Sequence, residues 1–184
     1  MNRIRLMFVV FASVVVSLVG TAAVAEAAPA QVDPVQQLVA AGVPEAVARQ
    51  AADAHPAAAG DVVTISHPGY QYRFPGTQVD AVLDREHGTV RVLQRWLGNG
   101  IASQLSVGWV NLATGRSGIT GLPESVPIAD PMYANYSDRA ATLGTGSGPV
   151  AIVVWGRIPA WTGLIPAAPE YFGILTPAGS LLQV

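Results

Sequence analysis

Apolar and polar residues alternate along much of the chain between positions 61 and 128. In Thr89–Leu97, for example, Val90 and Val92 fall on one side and Arg91 and Arg95 on the other. A period of two residues is typical of a β-strand with one buried face. Turn residues separate the alternating runs, so the pattern predicts antiparallel strands joined as a meander.

Four alternating runs follow one another in this region: 79–85, 89–97, 104–112 and 116–120. A shorter apolar run at 62–65 precedes them. The Asn-Gly pair at positions 99 and 100 is a strong hairpin signal, because both residues tolerate positive φ. It predicts that the runs 89–97 and 104–112 pair with each other.

The last third of the chain is less regular. Residues 122–131 are rich in proline and predict a connection, and the polar stretch 132–139 matches no element. The continuous apolar run 150–155 predicts a central strand buried on both faces. Residues 171–175 and 181–184 predict a final hairpin that turns at Pro177-Ala178-Gly179.

Before the strands, an alanine-rich segment predicts two short helices. Asp33 and Pro34 form a helix start, with aspartate as the N-cap and proline at the first helical position. Gly42 predicts the end of this helix, Pro44-Glu45 the start of a second, and His55-Pro56 its end. Helices this short are marginal alone, so the pair must dock on the rest of the protein.

The N-terminus has the pattern of an export signal. Two arginines, Arg3 and Arg5, precede an uncharged apolar run, and small residues follow it. Cleavage at Ala25-Glu26-Ala27 would divide the chain into a signal peptide (1–27), a helical pair (28–60) and an antiparallel β domain (61–184). An uncleaved anchor is the alternative. No later segment predicts a transmembrane helix, so we expect a secreted or envelope-associated protein without a transmembrane span after cleavage.

Composition narrows the class further. The chain has no cysteine and no lysine, 19 glycines and 14 prolines, and a net charge of −2. The charge argues against a nucleic-acid partner, and the lack of cysteine excludes zinc–thiolate sites. Many glycines and prolines indicate many turns. The predicted fold is mainly β: an antiparallel β-sandwich or partly closed barrel, preceded by the short helical pair.

Two segments are candidates for a contact surface. Trp161, Leu164 and Ile165 lie in an apolar stretch between prolines that has no strand pattern, and such a stretch is a partner contact if it is exposed. Tyr70 and Tyr72 alternate with polar residues and could stack on sugars. The alternatives are structural: a plug over the end of a sheet for the first segment and a core face for the second.

Asp84, Glu86 and His87 form a weak candidate metal site at a predicted turn. Asp84 and Glu86 could also be imagined as a glycosidase acid–base pair. A solvated turn accounts for the same residues. No nucleophile motif or nucleotide-binding loop occurs in its required context, so the sequence predicts no catalytic residue and no cofactor.

Two further stretches, Trp109 to Gly118 (WVNLATGRSG) and Leu143 to Val150 (LGTGSGPV), resemble small exported actinobacterial proteins of unknown function. The resemblance implies an exported β-rich protein and transfers no functional residue. We therefore expect an exported non-enzymatic domain that binds a cell-envelope partner, either protein or polysaccharide. The alternatives are a secreted hydrolase with a loop-assembled site and an oligomeric envelope β-barrel subunit.

Overall fold

Nine strands in two antiparallel sheets make up most of the part of the chain that the structure describes. This computed structural model describes residues 33–52, 60–66, 78–98, 100–159 and 172–184. The helices are α1 (Pro34–Ala40) and α2 (Glu45–Ala52). The strands are β1 (Val62–Ser66), β2 (Val79–Asp84), β3 (Thr89–Gly98), β4 (Gln104–Asn111), β5 (Ser117–Gly121), β6 (Glu124–Pro127), β7 (Tyr136–Leu143), β8 (Pro149–Pro159) and β9 (Phe172–Gln183).

The two sheets pack face to face. The first has the strand order β1-β2-β3-β7-β6 and the second the order β5-β4-β8-β9. One apolar core lies between them, with Val79 and Val92 from the first sheet against Val107, Ile152 and Val154 from the second. The sheets are not closed into a barrel, so the architecture is the β-sandwich that the alternating pattern predicts.

The helical pair covers the outer face of the second sheet. Leu38 of α1, Val43 between the helices and Ala48 of α2 are buried against Val110 of β4 and Val153 of β8. The predicted caps are confirmed at the first helix: Asp33 accepts a hydrogen bond from the backbone of Val35, and Gly42 adopts a φ of 97°. The strand β8 is therefore apolar on both faces, as its sequence predicts.

The hairpin predicted at Asn-Gly is wrong. Strand β3 pairs with β2 and β7, whereas β4 pairs with β5 and β8 in the other sheet. The connection from Gly98 to Gln104 crosses between the sheets, and a second crossing joins β5 to β6. The apolar faces of β3 and β4 are buried against each other's sheet, and this packing outweighs the local turn preference.

The C-terminal hairpin is also wrong, because residues 172–183 form one continuous strand. Pro177 falls where the register between β8 and β9 shifts, and β9 is an edge strand. A proline needs no ladder hydrogen bond at such a position, so it does not end the strand.

Strand β3 contains a second irregularity. The register with β7 shifts between Gln94 and Leu97, which leaves one additional residue on β3. Trp96 lies in this bulge with a φ of 63°, a conformation that residues other than glycine rarely adopt. Its backbone N–H donates to the Asp138 carboxylate at 3.1 Å, which holds the bulge in place.

Among the described residues, no helix has the length and hydropathy needed to cross a membrane.

Candidate functional site

The two ends of the sandwich differ in the residues that they present. The turn end consists of the connections 85–88, 112–116 and 144–148 together with Val184. The pocket end is the opposite one, where β1 ends at Ser66, β3 ends at Gly98 and β8 ends at Pro159. We examined the polar groups at each end for those that the fold leaves without a partner.

The turn end is held together by hydrogen bonds to a fully buried asparagine. The Asn111 amide donates to the backbone carbonyls of Thr145 and Ser147, both at 3.0 Å, and its oxygen accepts from the backbone of Ala113 and Thr114. All four of its hydrogen-bonding positions are used. This network is structural and leaves Asn111 no capacity for a ligand.

The candidate metal site lies at this end. Asp84 and His87 meet, with 2.9 Å between a carboxylate oxygen and the ring nitrogen Nδ1, and both side chains are exposed. The backbone N–H of His87 also donates to Asp84, and this bond lowers the pKa of the carboxyl. In the described ranges no three His, Asp or Glu side chains form a group that could hold a metal ion, and Glu86 does not join the pair. The pair closes a turn.

A charged cluster lies on the outer face of the first sheet. Arg95 donates to Asp80 at 2.9 Å and to Asp138 at 2.6 Å, and both aspartates are buried. Burial alone would raise the pKa of Asp80, but the hydrogen bonds from Arg95, Gln78 and Thr64 and the Arg95 charge together lower it. The Asp80 and Asp138 oxygens all have donors, so the cluster ties β2, β3 and β7 together.

A pocket opens at the pocket end, where the connections from β3 to β4 and from β5 to β6 cross between the sheets. It has a volume of about 280 Å³ and is lined by Ala102, Ser103, Thr120, Gly121, Leu122, Pro123 and Arg139. Leu122 is buried and closes the pocket against the apolar core. Among the lining residues that the structure describes, Arg139 is the only charged one.

Arg139 faces the interior of the sandwich. It lies on β7 in register with Gln94, and it shares its strand face with Ala141 and Leu143, which belong to the core. Its Nε is buried and has no hydrogen-bond partner. Within the part of the chain that the structure describes, its guanidinium makes no hydrogen bond and no ion pair.

A second unsatisfied group lies on the same strand face. Ser137 precedes Arg139 by two residues, so both side chains point to the inner side of β7, about 7 Å apart along the strand. Ser137 is 3% exposed, and its hydroxyl has no partner among the described residues. Buried polar groups are nearly always hydrogen-bonded, so the unsatisfied Nε of Arg139, which lies in the pocket lining, points to a site that a ligand completes, whereas Ser137 is not part of that lining.

One other crevice lies between the helices and the second sheet. It has a volume of about 190 Å³, and its walls are mostly apolar side chains such as Val35, Leu38 and Leu181. Its one carboxylate, Asp33, is the helix cap and accepts from the Val35 backbone at 2.9 Å. The crevice offers no unsatisfied polar group at Asp33.

The five predicted contact residues lie outside the described residues. These are Trp161, Leu164, Ile165, Tyr70 and Tyr72. The strands that flank their two segments, β1 and β2 for one and β8 and β9 for the other, meet these segments at the pocket end.

The sequence analysis missed Arg139 because the stretch 132–139 was assigned to no element. The signal that could have found it is short: Ala141, Thr142 and Leu143 alternate between apolar and polar directly after this stretch. A strand that extended back from them would place Arg139 on the same face as Ala141 and Leu143.

Comparisons of the chain with protein-family profiles, with curated protein sequences and with solved structures found no match.

Proposed function

We propose that the protein is an exported, non-enzymatic domain that binds a cell-envelope partner, protein or polysaccharide, at the pocket end of its sandwich. Export is inferred from the basic, apolar and small-residue order of positions 1–27.

The unsatisfied Arg139 in the pocket is the observation that carries the binding proposal. An arginine that faces an apolar interior without an anion has lost part of its hydration and gained no compensating bond. A bound group with hydrogen-bond acceptors would supply that bond. The pocket volume of about 280 Å³ lies near the lower limit of small-molecule sites, so it suits one residue-sized part of a larger partner.

The strands that flank the two predicted contact segments also favour the pocket end as the contact surface. β1 and β8 end, and β2 and β9 begin, at the pocket end, whereas the backbone carbonyls of Gly144, Thr145 and Ser147 at the turn end are engaged by Arg116 and Asn111. A partner that reaches the pocket would therefore approach the end of the sandwich to which both segments are attached in sequence.

A pair of glycine substitutions tests this location. Gly121 is exposed in the pocket wall, and an added Cβ would meet only the Leu105 carbonyl at 3.7 Å. Gly121→Trp fills the pocket mouth without a change of charge. Gly144→Trp is the matched control at the turn end, where an added Cβ meets nothing within 4 Å.

Binding to isolated envelope polysaccharide and to extracted envelope proteins is measured for both variants and the wild type, after circular dichroism has confirmed their folds. We expect wild type and Gly144→Trp to bind alike and Gly121→Trp to lose binding. Equal binding by all three would place the contact elsewhere. Retention of the full-length chain in the cytosol of the expressing cell would overturn the export part.

A further inference from the structure

The guanidinium of Arg139 indicates one particular ligand chemistry. The guanidinium offers Nε–H and a neighbouring Nη–H side by side, a planar fork that matches the two oxygens of a carboxylate. Nε is the very atom that is buried without a partner. A carboxylate that receives this pair of bonds would also neutralise the charge.

The remaining polar groups suit a ligand that has hydroxyls as well. The Thr120 hydroxyl in the pocket wall can both donate and accept. Ser103 is already engaged: its hydroxyl donates to Gln94 at 2.6 Å and accepts from the Leu105 backbone. Among the described lining residues, the polar side chains without a partner are therefore the Arg139 guanidinium and the Thr120 hydroxyl.

The charge and the size of the pocket narrow the class further. The described residues of the lining carry one positive charge and no acidic side chain, which fits a single negative charge on the ligand. Ala102, Leu122 and Pro123 supply apolar wall, on which the carbon face of a sugar ring can pack. A volume of about 280 Å³ holds one such residue with its carboxylate.

We propose that this pocket binds the carboxylate of a uronic-acid residue of an acidic polysaccharide, with Arg139 as the carboxylate ligand and Thr120 as a second hydrogen-bonding group. This assignment deepens the proposed binding function and rests on it. It names a ligand class that the fold alone does not specify.

The test uses D-glucuronate and an oligogalacturonide as probes, with glucose as the neutral counterpart. Binding is measured by isothermal titration calorimetry and by NMR chemical-shift changes on protein expressed from the full 184-residue sequence. We expect both acidic probes to bind and glucose to bind at least about tenfold more weakly, because it lacks the charge-assisted bonds.

Three arginine variants distinguish a specific role of the Arg139 side chain from general electrostatic attraction. Arg139→Gln removes the fork and should weaken binding of the acidic probes about tenfold or more. Arg157→Gln removes the same charge from an exposed position outside the pocket lining and should leave binding within about twofold. Arg139→Lys keeps the charge but loses the planar fork, so it should fall between the two.

Thr120→Val gives a second test that does not depend on a charge change. The Thr120 hydroxyl lies in the pocket lining and has no partner among the described residues, so the variant should fold normally and weaken probe binding several-fold.

Equal loss in Arg139→Gln and Arg157→Gln would overturn the assignment, as would no binding of either acidic probe. Binding of N-acetyl-D-alanine, a carboxylate at the end of a peptide unit, without binding of the uronates would overturn it too. The proposed function has a separate readout. If the uronates fail while Gly121→Trp still abolishes envelope binding, the pocket end is the contact surface and only the ligand class is wrong.

Discussion

Gly108 of β4 lies directly beneath Val43, the residue that links the two helices. A Cβ added at position 108 would stand 2.5 Å from Val43 Cγ2 and 3.1 Å from the ring of Trp155. The helical pair docks this closely because the sheet has no side chain at that point. The approach also explains how two short helices obtain a buried face against the strands.

Gly108→Ala should therefore weaken helix docking. The methyl group forces Val43 or Trp155 to move in a packed layer, and overpacking of this kind costs about 1–3 kcal/mol of unfolding free energy. Urea denaturation followed by far-UV circular dichroism measures the change. Gly144→Ala, which meets nothing within 4 Å, is the control. A loss of the same size in both variants would show that packing under Val43 is not the cause.

Arg95→Gln should destabilise the fold strongly. The substitution leaves Asp80 and Asp138, whose side chains are 5% and 8% exposed, without their cation. Breaking one partner out of a buried ion pair costs about 3 kcal/mol or more. Arg91→Gln on the same strand is the control, because both members of its pair with Glu124 are nearly half exposed, and should cost less than about 1 kcal/mol. Similar losses in the two variants would contradict the structural role of the cluster.

Acid should weaken the same cluster. The pKa of Asp80 is lowered in the folded protein relative to its ordinary value of 3.8. A lowered pKa contributes stability that is present above the ordinary value and is lost as the pH falls through the folded value. The unfolding free energy should thus decline below about pH 4. Asp80→Asn should flatten this decline when denaturation is measured from pH 7 to pH 3, and an unchanged slope would contradict the assignment to Asp80.

Arg139→Leu should change the free energy of unfolding in the opposite direction from Arg95→Gln. Arg139 has a buried, unsatisfied Nε and no ion pair in the described chain, so an apolar replacement removes a cost and loses no bond. We expect unfolding free energy in urea to stay equal or to rise by up to about 1–2 kcal/mol. A loss of more than about 1 kcal/mol would assign Arg139 a structural role instead.

Sequence patterns correctly predicted those helices and strands that are buried in the way their own apolar and polar residues indicate. The helix start at Asp33-Pro34 and the doubly buried strand β8 are both confirmed. The errors fall where packing between distant segments decides the outcome. The crossing between β3 and β4 depends on two apolar faces that meet only in the folded sandwich, and Pro177 is accommodated because β9 has no strand on its outer side in the described sheet.

The candidate site was harder to predict for a related reason. A stretch that contains Ser137, Asp138 and Arg139 has too little apolar content to indicate a strand. On one face of β7, Asp138 forms an ion pair with Arg95, while on the other face Arg139 lines the pocket. The position of β7 between β3 and β6 fixes which of its faces is inner and which is outer. The sequence alone does not show which face carries Asp138 and which carries Arg139.

The hydrogen bonds at the turn end also bear on how fast the chain folds. Asn111 bonds to Thr145 across 34 positions of sequence, and Thr145 bonds to Gly88 across 57. Thr145 follows β7 of the first sheet and precedes β8 of the second, and Asn111 ends β4 of the second, so the two bonds connect segments of both sheets. Contacts this distant in sequence slow the search for the native state, so the network around Asn111 adds to the long-range contacts that make such a sandwich fold more slowly than a helical protein of similar size.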